Sequence, residues 1–223
     1  MTERVNIHTA ALEGKFDNVK SVIEVEPKAV GSKDEDERTP LHWAVSGGHF
    51  DIAEYLIQHE ANVNDTDEAG WTPLHIAAST GNFEIAKRLI ISGATINVQN
   101  ELGMTPLHYA ASKNRIEIGR ELIEKGANVH AQDRYKQTPL HRCSVLGYTV
   151  FARLLLDNGA KSNAADKVLN TPLHLACEEG HGDTAILLIE KGGDLERKNA
   201  DNKTPLELCS KQLTKFIKQQ TSG

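Results

Sequence analysis

Apolar residues recur three and four apart in short stretches of this chain, as at Ile52, Tyr55 and Leu56 or at Ile85, Leu89 and Ile90. That spacing predicts amphipathic helices. A shorter stretch precedes each of these and opens with Thr-Pro-Leu, the triplet beginning at Thr39, Thr72, Thr105, Thr138, Thr171 and Thr204, at a constant interval of 33 residues. Threonine suits an N-cap, and proline tolerates the first helical position because the N–H it lacks has no partner there. A first helix is therefore predicted that turns Leu41 and Ala44 inward and stops at Gly48, with Gly81, Gly147 and Gly180 matching and Asn114 replacing glycine once. The second helix is predicted to stop at Gly93, Gly126, Gly159 or Gly192, with Glu60 the exception. Both stops rest on residues that enter the left-handed conformation at low cost. Segments such as 61–65 and 94–97 then lead into an extended finger that returns to the next triplet.

The first five triplets are followed by histidine (His42, His75, His108, His141, His174), and six of the seven prolines belong to this motif. In period and wording the chain resembles the ankyrin-repeat proteins. The resemblance implies an all-α solenoid of seven helix-turn-helix repeats with β-hairpin-like fingers, and a surface that binds other proteins. The repeats are expected at about 6–38, 39–71, 72–104, 105–137, 138–170, 171–203 and 204–220, forming one domain over 1–223. The first lacks the triplet but aligns His8 with His42 and Gly14 with Gly48. In the shortened last one Glu207 takes the histidine position, and Lys211, Lys215 and Lys218 give a wet outer face.

Composition narrows the function. A net charge of −6 and a pI near 5.9 argue against general nucleic-acid binding, which needs a basic face. No apolar run approaches the length of a membrane span, and the first residues carry no secretory pattern. Three cysteines (Cys143, Cys177, Cys209), an odd number at small-residue positions, suggest packing in a reducing compartment, cytosol or nucleus. Five of the ten histidines share one motif position a full repeat apart, too far to converge on a metal. No phosphate loop, dinucleotide fingerprint, zinc-protease or nucleophile-elbow motif occurs, so neither enzyme nor cofactor is expected.

Binding specificity should lie where the repeat leaves residues free. From Ser32 to Trp71 ten acidic residues face two basic ones, a net of −8, whereas from Lys113 to Arg142 seven basic residues face four acidic ones, a net of +3. Trp43, Trp71, Tyr109 and Tyr135 stand at variable positions and are expected to be exposed interface anchors. The partner-binding candidates are Glu35, Asp36, Arg38, Trp43, Glu68, Trp71, Tyr109, Lys113, Arg115, Arg134, Tyr135, Lys136 and Arg142.

Three strings occupy these variable positions: Arg38 to Trp43, Asp65 to Ala78 (DTDEAGWTPLHIAA) and Thr105 to Arg115 (TPLHYAASKNR). They resemble the gankyrin family, seven-repeat assembly chaperones of the proteasome regulatory particle, over about residues 6 to 218. The resemblance implies a protein, expected to be monomeric, that grips the C-terminal domain of one base ATPase. Asp36, Glu68 and, in the first repeat, Asp17 would meet arginines of that domain; Arg38 and Lys113 would meet acidic residues, with Trp43 and Trp71 on the same face. Leu175, Cys177 and Glu179 spell Leu-x-Cys-x-Glu, which in that family is proposed to recruit the retinoblastoma protein, although the repeat register makes Leu175 and Cys177 packing residues. A regulator of a cyclin-dependent kinase, the retinoblastoma pathway or a ubiquitin ligase is the alternative.

Overall fold

A computed structural model describes residues 6–221. Among them the chain forms helices and no strands, in two compact units, Met1–Glu101 and Leu102–Gly223. In the first unit, α1 (Ile7–Leu12) pairs with α2 (Phe16–Val25), which a 3-10 turn at Pro27–Gly31 follows. The next pairs are α3 (Pro40–Gly47) with α4 (Phe50–Gln58) and α5 (Pro73–Thr80) with α6 (Phe83–Ile91). The second unit repeats the plan with α7 (Pro106–Ser112) and α8 (Ile116–Glu124), α9 (Pro139–Val145) and α10 (Thr149–Asp157), α11 (Pro172–Glu178) and α12 (Gly182–Glu190). It closes with α13 (Pro205–Leu208) and α14 (Lys211–Thr221). Within each unit first helices stack on first helices and second on second: α1, α3 and α5; α7, α9, α11 and α13. This is the expected fold.

The stops fall where the sequence placed them. Gly48 has φ 77°, Asn114 takes 54° and Glu60 takes 67°. The outer positions of the last helix, Lys211, Lys215 and Lys218, face solvent while Leu213 and Ile217 are buried.

The motif histidines carry the stack. His42, His75, His108, His141 and His174 are fully buried. Each reaches back with Nδ1 to the threonine that opens its helix: the Thr105 N–H donates to His108 Nδ1 at 3.1 Å and the hydroxyl lies 2.9 Å from it. The imidazole thus fills the role of Glu or Gln in a capping box. Its Nε2 points forward to the residue just before the next triplet, His42 to the Trp71 carbonyl at 3.1 Å, His108 to Gln137 at 3.1 Å, His141 to Asn170 at 3.2 Å and His174 to Lys203 at 3.2 Å. A carbonyl can only accept, so Nε2 is the protonated nitrogen and Nδ1 the acceptor. The neutral ring satisfies a buried donor at the helix start and a partly buried acceptor at the end of the finger.

One pair of core residues departs from the repeat. Phe151 in α10 is fully buried at a position held by Ile52, Ile85 and Ile118 elsewhere. Opposite it, Gly119 in α8 replaces the alanine found at Ala53, Ala86, Ala152 and Ala185. A Cβ on Gly119 would lie 2.5 Å from Phe151 Cζ. The larger ring occupies the room that the missing methyl leaves.

Gly119→Ala should cost about 1–3 kcal/mol through overpacking. Adding Phe151→Ile should recover most of the loss, and a double-mutant cycle by chemical denaturation reads the coupling directly. Additive effects would mean that the two side chains do not share this space.

A second expectation concerns acid. Burial lowers the pKa of His42, His141 and His174 and takes His108 to about 4, against the ordinary value of 6.5. The unfolded chain therefore binds protons that the folded chain refuses, and stability present above pH 6.5 is lost as the pH falls toward 4. His108 alone accounts for a loss on the order of 3 kcal/mol across that window. Denaturation midpoints at pH 7, 5.5 and 4.5 should fall in that order, and a flat profile would assign the histidines a different protonation.

Candidate partner-binding surfaces

Each finger is held by one side chain. Five residues before every triplet stands Asp or Asn, in the row Asp34, Asp67, Asn100, Asp133, Asp166 and Asn199. All but the half-buried Asp34 are buried. The Oδ1 of Asp34 accepts the N–H groups of Asp36 and Arg38, at 3.1 and 2.9 Å. Asp67 accepts those of Ala69 and Trp71, Asp133 those of Tyr135 and Gln137, Asp166 those of Val168 and Asn170. Neighbouring fingers are joined through the backbone, the Glu68 N–H donating to the Asp36 carbonyl at 3.0 Å and the Lys167 N–H to the Tyr135 carbonyl at 2.9 Å. The 33-residue period of this Asp/Asn row is visible in the sequence. It separates structural carboxylates from free ones, a distinction the charge count alone does not make.

In the first unit the fingers bring together Glu35, Asp36, Arg38, Trp43, Glu68 and Trp71. The Trp43 indole N–H donates to Asp34 Oδ2 at 2.6 Å, and the Arg38 guanidinium lies 4.9 Å from the centre of the Trp43 ring. Burial pushes the Asp34 carboxyl up, but the Trp43, Arg38 and Asp36 N–H groups more than offset this and hold it below its ordinary value. Arg38 Nε pairs with Asp67 Oδ2 at 3.0 Å. The charge of Arg38 thus already answers a buried carboxylate within the fingers. Trp43 and Trp71 are half-buried and knitted into the fingers, Trp71 through its N–H and carbonyl. Asp36 and Glu68 are exposed and share a recess with Arg38, Asp67 and Ala69; Glu35 is exposed beside them. Glu37 is paired with Lys33 at 2.9 Å. Asp17 stands apart, exposed in the first turn of α2.

In the second unit Arg134, Tyr135 and Lys136 form one exposed finger tip, with Tyr135 61% exposed. Arg142, expected at the interface, bonds Asp133 with its guanidinium, the counterpart three repeats on of the Trp43–Asp34 contact. Tyr109 is corrected: at 8% exposure it packs inside α7 rather than presenting its ring. Lys113 is exposed at the end of α7 and Arg115 is half-buried at the start of α8. Leu175 and Cys177 lie buried in α11, leaving Glu179 as the member of that motif in solvent. An extended-segment receptor could reach the two buried side chains only by unwinding the helix. A hydrogen bond with Cys209, and then burial, hold the Cys177 thiol above its ordinary pKa, and the same hydrogen bond lowers that of Cys209.

No group of three or more His, Cys, Asp or Glu among the described residues could hold a metal, and no described helix is long and apolar enough to cross a membrane.

Residues 7–100 and 80–166 match the family model for ankyrin repeats (3 copies), and residues 155–209 that for ankyrin repeats (many copies). The mouse 26S proteasome non-ATPase regulatory subunit 10 is 44% identical over 61 residues, 27% of this chain and 26% of that protein. The Saccharomyces cerevisiae probable 26S proteasome regulatory subunit p28 is 40% identical over 58 residues, 26% of this chain and 25% of that protein. Alpha-latrocrustotoxin-Lt1a of Latrodectus tredecimguttatus is 44% identical over 55 residues, 25% of this chain and 4% of that protein. The chain thus spans about a quarter, or far less, of the relatives it matches, a shorter likeness than the expected one over about residues 6 to 218. Among solved structures, the human ASB11 ankyrin repeat domain aligns over 97% of this chain and 98% of its own, with TM-score 0.87 and 26% identity. The ankyrin repeat domain of Bcl-3 aligns over 98% and 100%, with TM-score 0.83 and 25% identity.

Trp43→Phe keeps the ring over Arg38 and removes only the indole N–H. It should lower stability by about 1 kcal/mol and raise the Asp34 pKa, followed by denaturation and by NMR titration of the carboxyl. An unmoved Asp34 would mean that the backbone N–H groups alone set its ionisation.

Proposed function

Because the chain belongs to the ankyrin-repeat family, whose stacked repeats are protein-interaction scaffolds, we propose that it is an assembly chaperone of the proteasome regulatory particle, holding the C-terminal domain of one base ATPase. The observation that carries the reading is the group Glu35, Asp36 and Glu68. All three are exposed, Asp36 and Glu68 line one recess, and Arg38 beside them is engaged by Asp67. Negative charge held on rigid, mutually bonded fingers attracts a basic surface and orients it on arrival. On the second unit, Lys113, Arg134 and Lys136 would take acidic groups of the same domain. The local likeness to proteasome subunits in mouse and yeast supports this choice of partner. We place the protein in cytosol and nucleus, acting as a monomer, with no cofactor.

Affinity capture of the tagged chain from cells tests the assignment. Base ATPases recovered without the core particle would support it, and a kinase recovered with no proteasome subunit would replace it. On the captured ATPase domain, Glu68→Arg should weaken binding more than Glu68→Ala, since a like-charge contact is added to a lost one. The Glu68 backbone bond to Asp36 survives either change, so the finger should stay in place. A compensating charge swap on the partner should restore about 1 kcal/mol or more if the pair is desolvated.

A further inference from the structure

Three residues before each triplet, at the outermost point of each finger, the sequence runs Asp36, Ala69, Leu102, Tyr135, Val168 and Asp201. In the second unit this row is apolar over three consecutive fingers. Leu102 is 48%, Tyr135 61% and Val168 53% exposed, and Leu169, one residue on, is 48% exposed. The three tips form one continuous edge, because the Arg134 N–H donates to the Leu102 carbonyl and the Lys167 N–H to the Tyr135 carbonyl, each at 2.9 Å. Large apolar side chains placed on loops that could hold anything polar are unusual on a surface, and adjacent ones mark a binding patch.

The basic charge of this edge sits on its second and third tips, while exposed Glu101 adjoins Leu102 and exposed Asp201 lies on the finger that follows. Lys136 and Lys167 are exposed on the same fingers. The carboxylates of those fingers, Asp133 and Asp166, are buried and turned inward to backbone N–H groups, so they do not neutralise the lysines at the tip. Stacked helical repeats stand roughly 8–10 Å apart, the distance between packed helix axes. A polyproline II segment rises about 3.1 Å per residue with three residues per turn, so every third side chain lies on one edge about 9 Å from the next. An antiparallel or parallel strand, with period two, does not repeat at that distance.

We propose that the tips of these three fingers bind an extended acidic protein segment in polyproline II conformation, with an apolar residue at every third position on Leu102, Tyr135 and Val168 and carboxylates on Lys136 and Lys167. Leu169 extends the apolar contact at the far end. The site lies outside the acidic recess of the first unit and shares only Lys136 with the ATPase reading, so peptide binding stands whether or not that reading holds.

The probe is a fluorescein-labelled peptide of three Leu-Pro-Glu units, titrated with the full chain and read by fluorescence polarisation; the control carries Lys in place of each Glu. The acidic peptide should bind at least tenfold more tightly than the basic one, and more weakly as salt rises. Lys136→Glu combined with Lys167→Glu should reduce its affinity at least tenfold, and Val168→Ser at least threefold. Both changes lie on exposed side chains, and the thermal midpoint of each variant confirms that the fold is intact. Equal binding of the two peptides, no binding up to millimolar concentration, or an affinity indifferent to the lysine pair in a folded variant would each overturn the proposal. Failure here leaves capture of base ATPases untouched, and loss of that capture with peptide binding intact would overturn only the other reading.

Discussion

A neutral buried imidazole that ties the start of a helix to the finger ahead of the next triplet is the contact on which the others rest. The same ring closes the N-terminus of its own helix and reaches the carbonyl that precedes the next triplet. The helix-opening N–H and the carbonyl at the far end of the finger would otherwise lack these partners, at a cost of about 1–3 kcal/mol for a buried group. Histidine suits the place because it offers an acceptor and a donor on opposite edges of a rigid ring, and because burial keeps it from taking a second proton. At the sixth triplet a carboxylate takes over the capping role: Glu207 closes α13 by accepting the Thr204 N–H at 2.7 Å and stays exposed.

The fingers follow a related economy of side chains. Asp or Asn takes the backbone N–H groups of its own loop on one atom and offers the other to a neighbour. That neighbour is Trp43 for Asp34, Arg38 for Asp67, Arg142 for Asp133 and Gln137 for Asp166. Residues that look like surface charges in the sequence thus belong to the interior of the loop. What remains for a partner is the set that no internal acceptor or donor claims, and in the two units that set differs in sign and in polarity. The first presents carboxylates around a recess, the second lysines beside an apolar edge.

The fold was legible in the sequence because a 33-residue period leaves little freedom. Thr-Pro-Leu-His fixes a helix start, and glycine or asparagine fixes its stop, in a local code that tertiary packing does not override. The candidate surfaces were legible only in part. Glu35, Asp36, Glu68, Tyr135 and Lys136 are exposed as expected, since a variable position on a finger tip faces water by construction. Arg38, Arg142 and Tyr109 were not legible, because whether a long side chain folds back depends on the residue it meets in an adjacent loop or helix, 29, 9 or more positions away. The exposed apolar row at Leu102, Tyr135 and Val168 was within reach of the same periodic comparison that found the histidines, had the tips been aligned with each other rather than counted for charge.

Near-identical repeats carry a hazard of their own: a chain that folds from several places at once can dock the wrong neighbours, since every interface looks alike. Gly119 and Phe151 make one interface unlike the rest. A repeat with alanine at the first position cannot seat the phenyl ring, and a repeat with isoleucine at the second leaves a void beside the glycine. The pair therefore serves as an address, telling the fourth repeat from its siblings and fixing which one may follow it.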